Sequence, residues 1–188
     1  MPDDSVPYGP PPGSVILITG VMAAGKSTVA EALAARLPRA AHVRGDAFRR
    51  MIVSGRAEPL PGDASPEAAA QLRLRHRIAA RVAEEYAAAG FTAVVQDIVL
   101  GDDLAYWTGL VRDRPLHVVV LAPGPGAVAA REAGRVKTGY GAWTVAAMNS
   151  ALREGTPRLG LWLDTSARTP EETVDAVLAR LPESRIRR

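Results

Sequence analysis

The sequence contains no cysteine. Disulfide staples, thiolate metal centres and cysteine nucleophiles are thereby excluded, and a reducing cytoplasm is the expected location. Lysine is nearly absent too, since only Lys26 and Lys137 stand against 21 arginines. Guanine-specific GTPases read their base through an Asn/Thr-Lys-x-Asp segment, and neither lysine lies in one. Aromatic residues make up 5% of the chain, which leaves few rings for stacking nucleic-acid bases. The net charge of +3 is too small to argue by itself for a nucleic-acid partner. No apolar run approaches the roughly 18 to 20 residues of a membrane-spanning helix. The proline-rich stretch Met1 to Gly13 has neither the basic start nor the apolar centre of a secretory signal, and reads as a flexible leader.

What is present centres on Val15 to Thr28. The apolar run Val15-Ile-Leu-Ile-Thr19 leads into Gly20-Val21-Met22-Ala23-Ala24-Gly25-Lys26-Ser27-Thr28. This is the phosphate-loop pattern of Gly, four residues, Gly-Lys-Ser/Thr, placed where it works, between a strand and a helix. Gly20 and Gly25 let the backbone curl so that successive N–H groups face phosphate oxygens, and the helix adds its positive dipole end. Lys26 brings a point charge to the outer phosphates of a nucleotide, and the Ser27 hydroxyl is placed to ligate Mg²⁺. Val29, Leu33 and Leu37, with Ala30 and Ala34, form an apolar face on the helix that follows, which Pro38 ends.

A second strand, 41–44, delivers Asp46 to the carboxyl end of a parallel sheet, beside the phosphate loop. From there a short helix is read as carrying Phe48, Met51 and Ile52 inward and exposing Arg49 and Arg50. Ser65-Pro66-Glu67 opens a long helix with Leu74, Ile78, Val82 and Tyr86 as its buried stripe and Arg73, Arg77 and Arg81 on the opposite face. The strand 91–95 closes on Gln96-Asp97, the form of a second nucleotide motif whose carboxylate holds Mg²⁺ or its water shell. A helix over 101–113 and a strand, Leu116 to Leu121, apolar but for His117, come next. Arg131 and Arg135 lie four apart on one helix face, and Lys137 with the glycines around it completes a basic segment suited to a lid over about 126–152. Trp143, Ala147 and Leu152 are read as the inner face of the next helix. A fifth strand over 160–163, a capping box at Thr169 to Glu172, and a basic, frayed tail from 183 to 188 finish the chain.

Five strands alternating with helices give an α/β domain over 14–182, a three-layer P-loop fold with a five-stranded parallel sheet and a helical lid. The combination resembles the small P-loop kinases, most closely the chloramphenicol phosphotransferase family. The shared features are Ala-Ala-Gly-Lys-Ser at 23–27, Asp46 after the second strand, Asp-Ile-Val-Leu-Gly at 97–101 and Arg-Glu-x-x-Arg at 131–135. The likeness runs from residue 15 to about 180, departing at Gln96, where that family has a second acid, and over 55–75. It implies that Asp46 takes the proton from a substrate hydroxyl, that Lys26 steadies the γ-phosphoryl group of ATP, and that Arg131 and Arg135 close over it. A hydroxyl on a small molecule, such as an antibiotic, is then the acceptor. Asp46-x-x-Arg49 is also similar to the polynucleotide kinase pattern, in which the arginine holds the nucleic acid beside its 5′-hydroxyl. The non-enzymatic alternative is a nucleotide-dependent switch.

Overall fold

The computed structural model describes residues 9–62, 65–134 and 142–187. The first part of the leader (1–8) and two members of the basic segment, Arg135 and Lys137, lie outside the described residues. In chain order the elements are β1 (Val15–Gly20), α1 (Lys26–Arg36), β2 (Ala40–Arg44), α2 (Gly45–Arg50), α3 (Pro66–Ala88) and β3 (Thr92–Gln96). Then come α4 (Asp102–Thr108), β4 (Leu116–Leu121), α5 (Pro125–Ala133), α6 (Val145–Arg153), β5 (Leu161–Leu163) and α7 (Pro170–Ala179).

The strands form one sheet in the order β2-β3-β1-β4-β5, parallel throughout. Every residue of β1, β3 and β4 is buried, as expected for strands covered on both faces. Growth of the sheet changes direction at β1, whose neighbours β3 and β4 lie on opposite sides, so the crevice at its carboxyl end is the topological switch point. The phosphate loop opens at that end. Thr19 fixes the floor of the crevice, because its buried hydroxyl accepts from the Val99 N–H at 2.9 Å and donates to the Val99 carbonyl at 3.0 Å. The helix starts follow from local chemistry. Ser65 caps α3, and Thr169 with Glu172 forms a reciprocal capping box on α7.

The buried face of α3 differs from the sequence expectation. It consists of Ala68, His76, Ala79, Ala80, Ala83 and Ala87. Leu74, Ile78 and Tyr86 are exposed instead, at 40%, 36% and 44%. Small side chains let a helix lie close on a sheet, and the large ones are left to flank the contact. Leu74 and Ile78 line a cavity, and Tyr86 packs edge-on against Phe91. Met51 is likewise exposed, because α2 stops at Arg50, and Arg49 is half-buried rather than exposed. In α6 the start at Val145 turns Met148 inward with Leu152 and leaves Ala147 outside. The helix α4 ends at Thr108, short of 113. Nor is the tail frayed through its length: the Ile186 N–H donates to the Leu116 carbonyl at 2.9 Å, and Arg185 bridges to His117 beside the part of β4 that β5 does not reach.

The chain's three histidines share one electrostatic condition. Burial, as the largest cause in each case, lowers the pKa of His42, His76 and His117 below the ordinary value. The unfolded chain therefore takes up protons that the folded chain refuses as pH falls through about 6.5. The melting temperature is expected to hold above that pH and to drop between about pH 6.5 and 5. Thermal melts across this range check it; a melting temperature that rises on acidification contradicts it.

Candidate active site

The loop from Gly20 to Gly25 is shaped by two kinds of backbone demand. Gly20 has φ of +147°, and a Cβ there would stand 2.4 Å from the Leu121 carbonyl oxygen, so only glycine lets β1 and β4 stay paired at this turn. Ala23 and Gly25 adopt left-handed conformations, at φ 58° and 95°, which fold the loop into a cup of N–H groups. Lys26 is buried at the first position of α1, where its Nζ donates to the Val21 carbonyl at 2.7 Å. Ser27 and Thr28, exposed at the first turn, face the same opening.

That opening is a cavity of about 810 Å³. Lys26, Ser27 and Thr28 line it together with Asp46, Arg49 and Asp97, further polar side chains that include Glu58, Arg75 and Asp103, and apolar side chains. The structure thus brings together the sequence-predicted residues that follow the carboxyl ends of β1, β2 and β3. Asp46 sits in the first turn of α2, with one carboxylate oxygen accepting from Arg49 Nε at 3.0 Å and the other paired with Arg50 Nη1 at 3.2 Å. Arg49 also pairs with Glu58, which reaches in from the loop after α2. Partial burial opposes the charge on Arg49, but Asp46 and Glu58 outweigh it and raise its pKa.

Asp97 is 2% exposed, and both of its oxygens are engaged by Arg75. The Arg75 Nε donates to one oxygen at 2.9 Å, and the other also accepts from the Ile98 N–H at 2.7 Å. A Cβ on Gly45 would lie 2.1 Å from this carboxylate, so α2 needs glycine at its first position for Asp97 to fit. Among the described residues, no group of three or more acidic or histidine side chains has the arrangement of a metal cage. For Mg²⁺, Ser27 fits as a direct ligand; Asp97, with its oxygens engaged, fits as a partner through water.

Arg131 lies in the last turn of α5 and spans to two other elements. Its Nη2 donates to the Thr165 carbonyl at 2.5 Å and its Nη1 to the Ala24 carbonyl at 3.4 Å. It borders a second cavity of about 230 Å³ with Gly25, Thr28, Thr165 and Arg168. Arg75 and Glu58 escaped the sequence reading. Arg75 carried a signal: it lies four residues before Ala79 and eight before Ala83, on the stripe that meets the sheet, where an arginine requires a carboxylate partner. Glu58 stands in a loop without periodicity and gave none.

A family model described as AAA domain matches residues 15–154. The chain belongs to this AAA-domain family. The match begins at β1 and closes after α6, so it takes in the phosphate loop, Asp46, Asp97 and Arg131. No curated protein matches the sequence of this AAA-domain chain. Solved structures do match in fold. APS kinase of Mycobacterium tuberculosis in complex with AMPPNP and APS has a TM-score of 0.67 at 21% identity, covering 92% of this chain and 99% of that one. An unliganded sugar kinase from Janibacter has a TM-score of 0.66 at 19% identity, covering 91% and 95%. The tunicamycin resistance protein of Deinococcus radiodurans gives 0.62 at 16%, covering 93% and 99%. The AAA-domain chain thus has the α/β P-loop fold of small kinases.

Proposed function

We propose that this chain transfers the γ-phosphoryl group of ATP to a hydroxyl of a small molecule. The observation that carries the proposal is one cavity of about 810 Å³ lined both by the phosphate loop with its lysine and by the Asp46 carboxylate, large enough to take an acceptor beside the phosphates. In this reading Gly20, Val21, Met22, Ala23, Ala24, Gly25, Lys26, Ser27 and Thr28 hold the triphosphate, and the smaller cavity beside Arg131 takes the base. Asp46 accepts the acceptor's hydroxyl proton as that oxygen bonds to the γ-phosphorus and the bond to the bridging oxygen breaks, leaving ADP. Arg49 holds Asp46 and the acceptor; Arg131 and Arg135 offset charge on the transferring group. Ser27, directly, and Asp97, through water, would hold Mg²⁺, which would supply charge neutralisation on the phosphates. An antibiotic such as chloramphenicol is the acceptor favoured by the sequence resemblance, and a resistance protein stands among the similar folds. The polynucleotide reading has less support, because aromatic residues make up only 5% of the chain and the net charge is only +3.

Mass spectrometry of hydroxyl compounds incubated with the protein and Mg-ATP tests the reaction. The panel holds chloramphenicol, other antibiotics, sugars, nucleosides and a 5′-hydroxyl oligonucleotide. One phosphoryl group gained by a small molecule supports the proposal, and gain by the oligonucleotide alone replaces it. ADP formed at a rate indifferent to every acceptor points instead to the switch. Lys26→Ala is expected to weaken ATP binding at least about tenfold, by removing the point charge on the outer phosphates. Calorimetric titration with Mg-ATP reads this, and unaltered affinity would remove the loop from the site.

A further inference from the structure

The acceptor half of the large cavity has an unusual balance of charge and apolar surface. Once Lys26 is assigned to the phosphates, the described lining carries Asp46, Glu58, Asp97 and Asp103 against only Arg49 and Arg75. Neither arginine is at liberty to meet an anion. Arg49 lies between Asp46 and Glu58, and Arg75 is held in a fork by buried Asp97. Asp103 leans on Arg73, 3.7 Å away. Every acid of this lining is paired with arginine, Asp46 with Arg49 and Arg50, Glu58 with Arg49 and Arg56, Asp97 with Arg75 and Asp103 with Arg73, so an acceptor with its own carboxylate, sulfate or phosphate would meet cations already engaged.

The walls carry the opposite message for apolar groups. Of the six large apolar side chains exposed among the described residues, Leu60, Leu74 and Ile78 line this cavity, and Met51 and Val53 flank Ile52, which also lines it. Clustering of exposed apolar side chains at one opening marks a ligand-binding surface. The same placement explains why α3 turns Leu74 and Ile78 away from the sheet. We propose that the acceptor is an uncharged alcohol with a large apolar body, its hydroxyl directed at Asp46 and its body laid along Leu74, Ile78 and Leu60. This rests on the phosphotransferase reading for the fate of the hydroxyl, but not for the chemistry of the pocket.

The test uses the full chain with phenyl-terminated primary alcohols from benzyl alcohol to 6-phenylhexanol, together with 4-(hydroxymethyl)benzoate and gluconate. Binding is read from tryptophan fluorescence in the presence of Mg-ADP, since Trp143 lines the cavity and its indole N–H donates to the Pro59 carbonyl. Transfer is read from label passing from γ-labelled ATP. Affinity and kcat/KM are expected to rise roughly fourfold per added methylene, the increment of a buried CH₂. The carboxylate-bearing alcohol and gluconate should be at least about tenfold poorer, because a carboxylate that gives up its water here gains no unengaged arginine in exchange. Leu74→Ser with Ile78→Ser should flatten the gradient; both side chains are exposed, so the core is untouched. Chain-length dependence in binding without transfer to any alcohol would keep the pocket assignment and overturn the phosphotransferase. No chain-length dependence, or a preference for gluconate or the carboxylate, overturns the inference whether or not phosphate is transferred.

Discussion

Asp46→Asn is expected to slow phosphoryl transfer at least about a hundredfold while leaving ATP affinity within about twofold, the pattern of a lost general base. The substitution keeps the shape and one hydrogen-bond acceptor, so Arg49 retains a partner in position 46 as well as Glu58. The start of α2 keeps a side chain suited to a helix N-terminus. What disappears is the capacity to take a proton. Single-turnover assays with a saturating acceptor separate the chemical step from binding. Transfer near the native rate would reduce Asp46 to an anion at the start of a short helix that organises two arginines.

The second large effect concerns stability. Arg75→Leu should destabilise the fold by about 3–5 kcal/mol, because it strands the Asp97 carboxylate at 2% exposure without its cation. For a domain of this size that corresponds to roughly 6–20 °C in melting temperature. The diagnostic variant is the double change Arg75→Leu with Asp97→Asn. A neutral amide still accepts from the Ile98 N–H and still fits beside Gly45, so the double variant should melt well above the single one. If Arg75→Leu melted with the native protein, the pair would be contributing nothing that water does not replace.

The sequence reading succeeded where one local signal demands one local structure. The phosphate loop is specified by Gly20, Gly25 and Lys26, and the stretch Leu116 to Leu121, apolar but for His117, is a covered strand with the same limits. The cap residues Ser65 and Thr169 marked helix starts to the residue. It failed where tertiary packing overrides size. On α3 the apolar stripe was assigned to the largest side chains, while the sheet accepts the alanines, and no periodicity distinguishes a large residue meant for a core from one meant for a ligand. Arg75 and Glu58 belong to the candidate site through partners 22 and 9 residues away, in a helix and a loop that the chain alone does not orient.

The position of β1 carries a consequence for how the protein is made. Val15 pairs with Ala93 on one side and with Leu116 on the other. The strand that leads into the phosphate loop leaves the ribosome before both of its partners, so it has no neighbour until β3 follows, and its second flank waits for β4. Contacts of such separation form slowly, and the interval exposes an apolar segment to a growing chain and its neighbours. ATP therefore cannot help the early stages of folding, because its cradle exists only after the middle of the sheet has closed. Nascent-chain length, rather than nucleotide supply, sets when the loop becomes competent.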